Sequence, residues 1–120
     1  MNEILNKPTE IADEIYTGKV VRDGMVAVLY SPGYGAGWYT WDSSDYGEAL
    51  IFDPIMVKYV EEDKMNELFA YAAMRYPDAY TGGLGDLAIA WIPEGALFRI
   101  NEYDGSESIE ILGESSWIKA

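Results

Sequence analysis

One stretch of the sequence combines a freely bending backbone with large aromatic side chains: Leu29-Tyr30-Ser31-Pro32-Gly33-Tyr34-Gly35-Ala36-Gly37-Trp38-Tyr39-Thr40-Trp41. Its thirteen residues include three glycines, one proline, three tyrosines and two tryptophans, and it follows the most apolar predicted strand of the chain. Glycine lets the backbone approach a partner closely, and broad rings supply contact area. We therefore expect the chain to be organised around this stretch and to carry its binding site there.

Six residues of this stretch are candidate contact residues: Tyr34, Gly35, Gly37, Trp38, Tyr39 and Trp41. Tyrosine and tryptophan are enriched among the residues that dominate binding energy, and their rings stack on bases, sugars or apolar patches. The run from 38 to 41 has the composition of a strand, whose alternation would send Trp38 and Tyr39 to opposite faces. At most half of the rings then line one site, and the others belong to the core.

The three glycines invite comparison with nucleotide-binding loops. Gly33-x-Gly35-x-Gly37 lacks the G-x-G-x-x-G spacing of a dinucleotide fingerprint, and no Lys-Ser/Thr pair follows it as in a P-loop. Two interpretations stay open: a connection that bends the chain between two strands, or a contact with a ligand or partner.

Composition excludes several classes of chemistry. The 120 residues contain no cysteine and no histidine, which rules out disulfides, thiolate or imidazole metal sites and histidine-based triads. With 21 acidic and 8 basic residues, the net charge is −13, which disfavours direct binding to nucleic acid or to an anionic membrane. Two readings of the acidity remain: solubility alone, or complementarity to a basic surface on a partner.

Local signals predict the elements of the first half. Asp23-Gly24 is a hairpin signal between a short strand at 19–22 and an apolar strand at 25–31. The run at 49–52 reads as a short buried strand, and Asp53-Pro54 as the start of a helix. A second helix begins with Asp63 as its N-cap and ends before Pro77, with one apolar stripe consisting of Met65, Leu68, Phe69, Ala72, Ala73 and Tyr76.

Strands dominate the second half, at 87–92, 96–103 and 107–111, with Asp104-Gly105 as another hairpin signal. The end of the chain, 117–120, is a candidate edge strand, and residues 1–17 read as a short helix at 9–16 or a loosely attached arm. We predict a single α+β domain over residues 1–120. Its core is an antiparallel sheet of about five strands with two central helices packed on one face.

Charged residues offer two further candidate sites. Arg22 and Arg99 lie on predicted strands and would form a small positive spot for a phosphate group if those strands were neighbours. Ion pairing with acidic residues is the alternative. The acidic loop residues do not match a calcium loop, and we expect them to be solvated: Asp42, Asp45, Glu48, Asp104 and Glu107.

Three segments carry a resemblance to a known family: Val21-Arg22-Asp23-Gly24 through Trp38, Trp91-Ile92-Pro93-Glu94-Gly95, and Glu102-Tyr103-Asp104-Gly105-Ser106-Glu107-Ser108. At these residues the chain resembles a family of small acidic tailed-phage proteins of uncharacterised function, over roughly residues 19 to 112. The resemblance implies a role in host takeover or counter-defence and supplies no catalytic residues.

We expect a non-enzymatic binding protein that inhibits a host defence or nucleic-acid-handling protein with a basic surface. One alternative is a sponge that sequesters a nucleotide-derived signalling molecule, with homo-oligomer formation as a further option. The other is a small carboxylate-based enzyme. We expect no cofactor, no metal, and no direct contact with nucleic acid or membrane. The longest apolar run is shorter than the roughly 20 residues of a membrane span, and the expected location is the cytoplasm, that of the host cell if the protein is phage-encoded.

Overall fold

The structure is a computed structural model that describes residues 18–112 and 118–120. The expected helix at 9–16, the expected arm at 1–17 and Trp117 lie outside the described residues. The described chain belongs to the α+β class, with three α-helices and two antiparallel sheets of three strands each.

The first sheet contains β1 (Val21–Arg22), β2 (Met25–Tyr30) and β3 (Ala88–Pro93), in the order β1-β2-β3. The predicted hairpin is confirmed, because Asp23 and Gly24 adopt φ values of 52° and 77°, as a two-residue turn of this type requires. Strand β2 lies between its two neighbours, and its four central residues are fully buried. Its nearly continuous apolar sequence follows from that position.

The helices are α1 (Ala49–Phe52), α2 (Pro54–Glu61) and α3 (Met65–Arg75), followed by a 3₁₀ turn at Leu84–Asp86. The prediction of a strand at 49–52 was wrong. A run of four apolar residues fits a strand and a buried helical turn equally well, so periodicity does not separate them. The turn begins where the amides of Leu50 and Ile51 donate to the carbonyls of Gly47 and Glu48.

Helix α3 lies within the predicted range and is slightly shorter, and two further details differ. Lys64 occupies the N-cap position, and Asp63 lies just before it at a φ of 56°, in the turn that ends the preceding segment. Leu68, Ala72 and Tyr76 are buried as the stripe predicts, whereas Phe69 and Ala73 are exposed. The buried stripe is therefore narrower than expected, because only one flank of α3 faces the core.

Asp53 joins the three helices. One oxygen of its buried carboxylate accepts hydrogen bonds from the amides of Ile55 (2.8 Å) and Met56 (3.1 Å), which confirms the predicted start of α2. The other oxygen accepts from the hydroxyls of Tyr71 (2.8 Å) and Tyr76 (2.5 Å). Burial, and then the hydrogen bond to Asp53, raise the pKa of both tyrosines well above their usual range.

The second sheet contains β4 (Leu97–Tyr103), β5 (Ser106–Leu112) and β6 (Ile118–Lys119), in the order β5-β4-β6. Asp104 and Gly105, with φ values of 52° and 84°, form the predicted hairpin turn. The short strand β6 pairs with β4 at Leu97 and Phe98, as the expected edge strand near the end of the chain would.

The expectation of one sheet of about five strands with two helices is not confirmed. The turn between β3 and β4 divides its hydrogen bonds between the sheets: the amide of Glu94 donates to Gly24 in the first hairpin, and the amide of Gly95 donates to Ala120 beside β6. Gly95 has a φ of 87°, which turns the chain sharply. Strand β4 thus leaves the sheet of β3 and begins a second sheet, although the connection is short.

Replacing Asp53 tests the joint between the helices. We expect Asp53→Ala to lower the free energy of unfolding by about 3 kcal/mol, since it removes a helix cap and the carboxylate to which the hydroxyls of half-buried Tyr71 and buried Tyr76 donate. Urea unfolding measures this. The matched control is Asp45→Ala in the exposed loop, with an expected change of about 0.5 kcal/mol or less. Equal stabilities of the two variants would show that Asp53 does not hold the helices together.

Candidate functional site

The loop from Ser31 to Trp41 leads from the first sheet toward the helices and lies against the start of β5 and the turn between β4 and β5. It contains no strand, so the prediction of a strand at 38–41 was wrong. The reason is that the amides of Trp38 and Thr40 both donate to one side chain, that of Glu107 on β5, rather than to a neighbouring strand.

Glu107 is the anchor of this loop. Its side chain is fully buried, with 1% of the residue exposed. One carboxylate oxygen accepts from the amide of Ser31 (2.9 Å); the other accepts from the amides of Trp38 (3.0 Å) and Thr40 (2.8 Å) and from the Thr40 hydroxyl (2.7 Å). The expectation that Glu107 is solvated was therefore wrong: four donors replace water around its charge.

The loop also contacts the β4–β5 turn through its backbone. The amide of Gly35 donates to the carbonyl of Asp104 (2.6 Å), and the hydroxyl of Ser106 donates to the carbonyl of Pro32 (2.6 Å). A Cβ atom on Gly105 would lie 2.7 Å from the amide nitrogen of Gly35, which is closer than real Cβ contacts allow. Only glycine at 105 permits this approach.

Asp86, in the 3₁₀ turn, fixes the other side of the loop. Its carboxylate accepts from the amide of Gly33 (2.5 Å) and, at 3.5 Å, from the hydroxyl of Ser31. Gly83 lies against Gly37, where a Cβ atom on Gly83 would be 2.2 Å from the Gly37 carbonyl oxygen. The loop is thus held between the 3₁₀ turn and the β4–β5 hairpin.

Two exposed tyrosines mark the place where the loop meets the hairpin turn. Tyr34 of the loop is 73% exposed and Tyr103 at the end of β4 is 76% exposed. Their ring centroids lie 6.4 Å apart at an interplanar angle of 84°, an edge-to-face arrangement. We call the surface formed by Tyr34, Tyr103, Glu102 and Asp104 the tyrosine tip.

The tip is acidic and structurally fixed. Glu102 and Asp104 are exposed next to Tyr103, and the carboxylate of Glu102 accepts from the amide of Gly105 (2.8 Å) across the turn. Large rings on a backbone held by hydrogen bonds lose little conformational freedom when they bind. The arrangement is suited to contact with an apolar surface that has positive charges around it.

The remaining aromatic candidates of the loop belong mainly to the interior. Trp38 is fully buried and its indole N–H donates to the carbonyl of Leu50 (2.9 Å), so its ring is part of the core. Tyr39 is half-buried, and burial raises its pKa. Trp41 is exposed and packs edge-to-face on Tyr80, with ring centroids 5.7 Å apart. Of the candidate residues, Tyr34 therefore belongs to the tip, Gly35 is its neighbour in the chain, and Gly37 is buried.

The two candidate arginines lie on strands of different sheets, so the structure does not bring them together as strand neighbours. Arg22 on β1 forms an ion pair with Glu61 (2.8 Å) and lies over the ring of Trp91, 5.5 Å from its centroid. Arg99 on β4 faces Glu110 across the β4–β5 pair. Both positions agree with the ion-pairing alternative that the sequence left open.

A cavity of about 270 Å³ lies beside the helix joint and is lined in part by Asp53, Tyr71, Tyr76 and Arg75. The carboxylate at this cavity already accepts four hydrogen bonds, as described above, so its oxygens serve the fold.

Within residues 18–112 and 118–120, no three acidic residues come together as a metal site would require. Among the same residues, no helix has the length and apolar character needed to cross a membrane.

The chain was compared with known proteins in three ways. No protein-family model, no curated protein sequence and no solved structure matches the chain. The functional argument therefore depends on the site itself.

Several residues of the site were not among the sequence candidates, and Tyr103 and Glu107 are the most important of them. Tyr103 is placed at the tip by the Asp104-Gly105 turn, and this turn signal could have identified it as a residue at an exposed hairpin end. Glu107 had a weaker signal: it stands between Ser106 and Ser108 and reads as a surface carboxylate, although the alternation of β5 places it on the same face as Ile109 and Ile111. Its donors come from residues 67 to 76 positions earlier in the chain, which local patterns do not indicate.

Replacing Glu107 tests the anchor. In Glu107→Gln an NH₂ group takes the place of one acceptor oxygen and meets a backbone N–H donor. We expect the free energy of unfolding to fall by about 2–4 kcal/mol. The matched control is Glu110→Gln, an exposed residue on the same strand, with an expected change of about 0.5 kcal/mol or less. Urea unfolding measures the stability of both variants, and equal stabilities would contradict the role of Glu107 as the anchor.

Proposed function

We propose that this protein acts without catalysis, by binding a partner protein that has a basic surface, and that the tyrosine tip is the centre of the contact. The observation that carries the proposal is the pair of exposed rings, Tyr34 and Tyr103, on a backbone fixed by Glu107 and Gly105. A few aromatic residues at the centre of an interface commonly supply most of its binding energy.

Charge supports the same class of partner. The chain carries a net charge of −13, and Glu102 and Asp104 lie beside the rings. Complementary charge speeds the encounter between proteins and orients them, while buried contacts slow their separation. In this proposal the carboxylates attract a basic surface and the tyrosines then hold it.

Inhibition of a host defence or nucleic-acid-handling protein is the specific form of this proposal that the phage resemblance suggests. A protein that normally binds nucleic acid has a basic surface, and an acidic protein competes for that surface through the same charge complementarity. That the partner is a host protein is a prediction that depends on the resemblance alone.

The nucleotide-sponge alternative has less support. It needs backbone amides of the glycine-rich loop to hold a phosphate, but the amides of Gly33 and Gly35 donate to Asp86 and Asp104. The enzyme alternative is disfavoured for a related reason, since the buried carboxylates of Asp53 and Glu107 each use both oxygens as structural acceptors.

Truncating the tip tests the proposal. With the immobilised full chain and a lysate of the host, we expect recovery of a basic protein in stoichiometric amount, and less recovery at high salt because screening weakens the attraction. Each of Tyr34→Ala and Tyr103→Ala is expected to cost about 2 kcal/mol, roughly thirtyfold in affinity, and to leave the thermal unfolding midpoint nearly unchanged because both rings are exposed.

The matched control is Met74→Ala, which truncates an equally exposed apolar side chain (74%) on α3. Recovery of the partner should be unaffected by that change. Recovery is measured by quantitative mass spectrometry. The proposal is contradicted if no protein is recovered less with the tyrosine variants, or if Met74→Ala lowers recovery by the same amount.

A further inference from the structure

Among residues 18–112 and 118–120, strand β5 forms one edge of the second sheet, and part of that edge has no backbone partner. The hairpin register pairs Tyr103 with Ser106, and in an antiparallel pair every second residue directs its N–H and C=O groups away from the partner strand. On β5 these residues are Glu107, Ile109 and Ile111. The assignment agrees with the amide of Glu107, which donates away from β4 to the carbonyl of Ser31 (2.8 Å).

Beyond Glu107 the edge has no described backbone partner. The loop that carries Ser31 covers the first outward position, and none of the backbone hydrogen bonds among residues 18–112 and 118–120 reaches the outward groups of Ile109 or Ile111. Unpaired edge groups of this kind are a template on which another extended chain can add as a strand.

The side chains along this edge differ on the two faces of the sheet. Ile109 and Ile111 lie opposite Ile100 and Phe98 on the core face. Phe98 is fully buried and Ile109 is partly buried against the core, but Ile111 is 50% exposed, so the core cover ends before it reaches Ile111. An added strand would place an apolar side chain next to Ile111 and complete this face.

The exposed side chains on the opposite face of the sheet indicate which charge an added strand should carry. Ser108 and Glu110 are exposed there, and the side-chain amide of Asn101 donates to Glu110 (2.7 Å). Arg99 lies across from Glu110 on β4, so an added strand would approach Glu110 from the other side. Cross-strand pairs of opposite charge are favourable and pairs of like charge are not. With a net charge of −13 for the whole chain, a basic strand fits this edge and an acidic one does not.

We infer that the open edge of β5, at Ile109 and Ile111, accepts an extended basic segment of a partner protein as an additional strand of the second sheet. Backbone hydrogen bonds supply the affinity, while alternation of apolar and basic residues supplies the specificity. This surface is separate from the tyrosine tip, and the inference holds whether or not the tip binds.

The test uses the intact chain labelled with ¹⁵N and a short synthetic peptide of alternating lysine and valine. We expect hydrogen exchange at the amides of Ile109 and Ile111 to slow by about tenfold or more at saturating peptide, because these amides gain acceptors. The amides of Ser108 and Glu110, which already pair with β4, should change little. A glutamate–valine peptide of the same length should bind about tenfold more weakly.

Two variants sharpen the test. Ile111→Pro removes an outward N–H that β4 does not use, a position where an edge strand tolerates proline, and should abolish slowed exchange at Ile109. Its matched control, Ile111→Val, keeps the N–H and an apolar side chain and should bind normally. Glu110→Lys should reverse the preference between the two peptides, which keeps the inference testable if the proline variant does not fold.

Four results would overturn the inference. The first is equal binding of both peptides, and the second is slowed exchange only at other residues. The third is slow hydrogen exchange of the Ile109 and Ile111 amides without peptide at every chain concentration. The fourth is protection that rises with chain concentration in the absence of peptide, which would assign the edge to a second copy of this chain.

Discussion

The carboxylate of Glu107 is the contact on which the rest of the structure depends. It lies on the second sheet, yet its four donors all belong to the loop that leaves the first sheet at Ser31. Taking a charge out of water costs several kcal/mol, and hydrogen bonds to a charged group contribute about 1.5–3 kcal/mol each. Because these hydrogen bonds offset the cost of burying the charge, the buried side chain favours the one loop conformation that supplies all four donors.

That single conformation accounts for the features around it. Trp38 is directed into the core with its indole N–H donating to the carbonyl of Leu50, and the backbone of Gly35 and Ala36 lies close enough to the β4–β5 turn to exclude any side chain at Gly105. Tyr34 is then presented beside Tyr103 on the outside. Interior and surface aromatics of one short loop thus have separate roles, and the separation follows from where the loop is fixed.

Local chemistry made much of the fold predictable. Asp23-Gly24 and Asp104-Gly105 specify tight hairpins by themselves, and Asp53-Pro54 specifies the start of a helix. The features that escaped prediction depend on distant partners. Residues 49–52 form a helical turn that packs on β2, and the two sheets separate at the turn where the amide of Gly95 donates to the carbonyl of Ala120. For the site, the sequence pointed to Tyr34 and Gly35 but not to Glu107, whose burial depends on donors far away in the chain.

Hydrogen exchange of the loop amides in the intact, unmodified chain tests the central claim most directly. If Glu107 fixes the loop, the amides of Trp38 and Thr40 exchange about as slowly as those of the buried strand β2, because they open only when the surrounding structure opens. Exchange of these two amides at the rate of an unstructured peptide, with β2 still protected, would contradict the account.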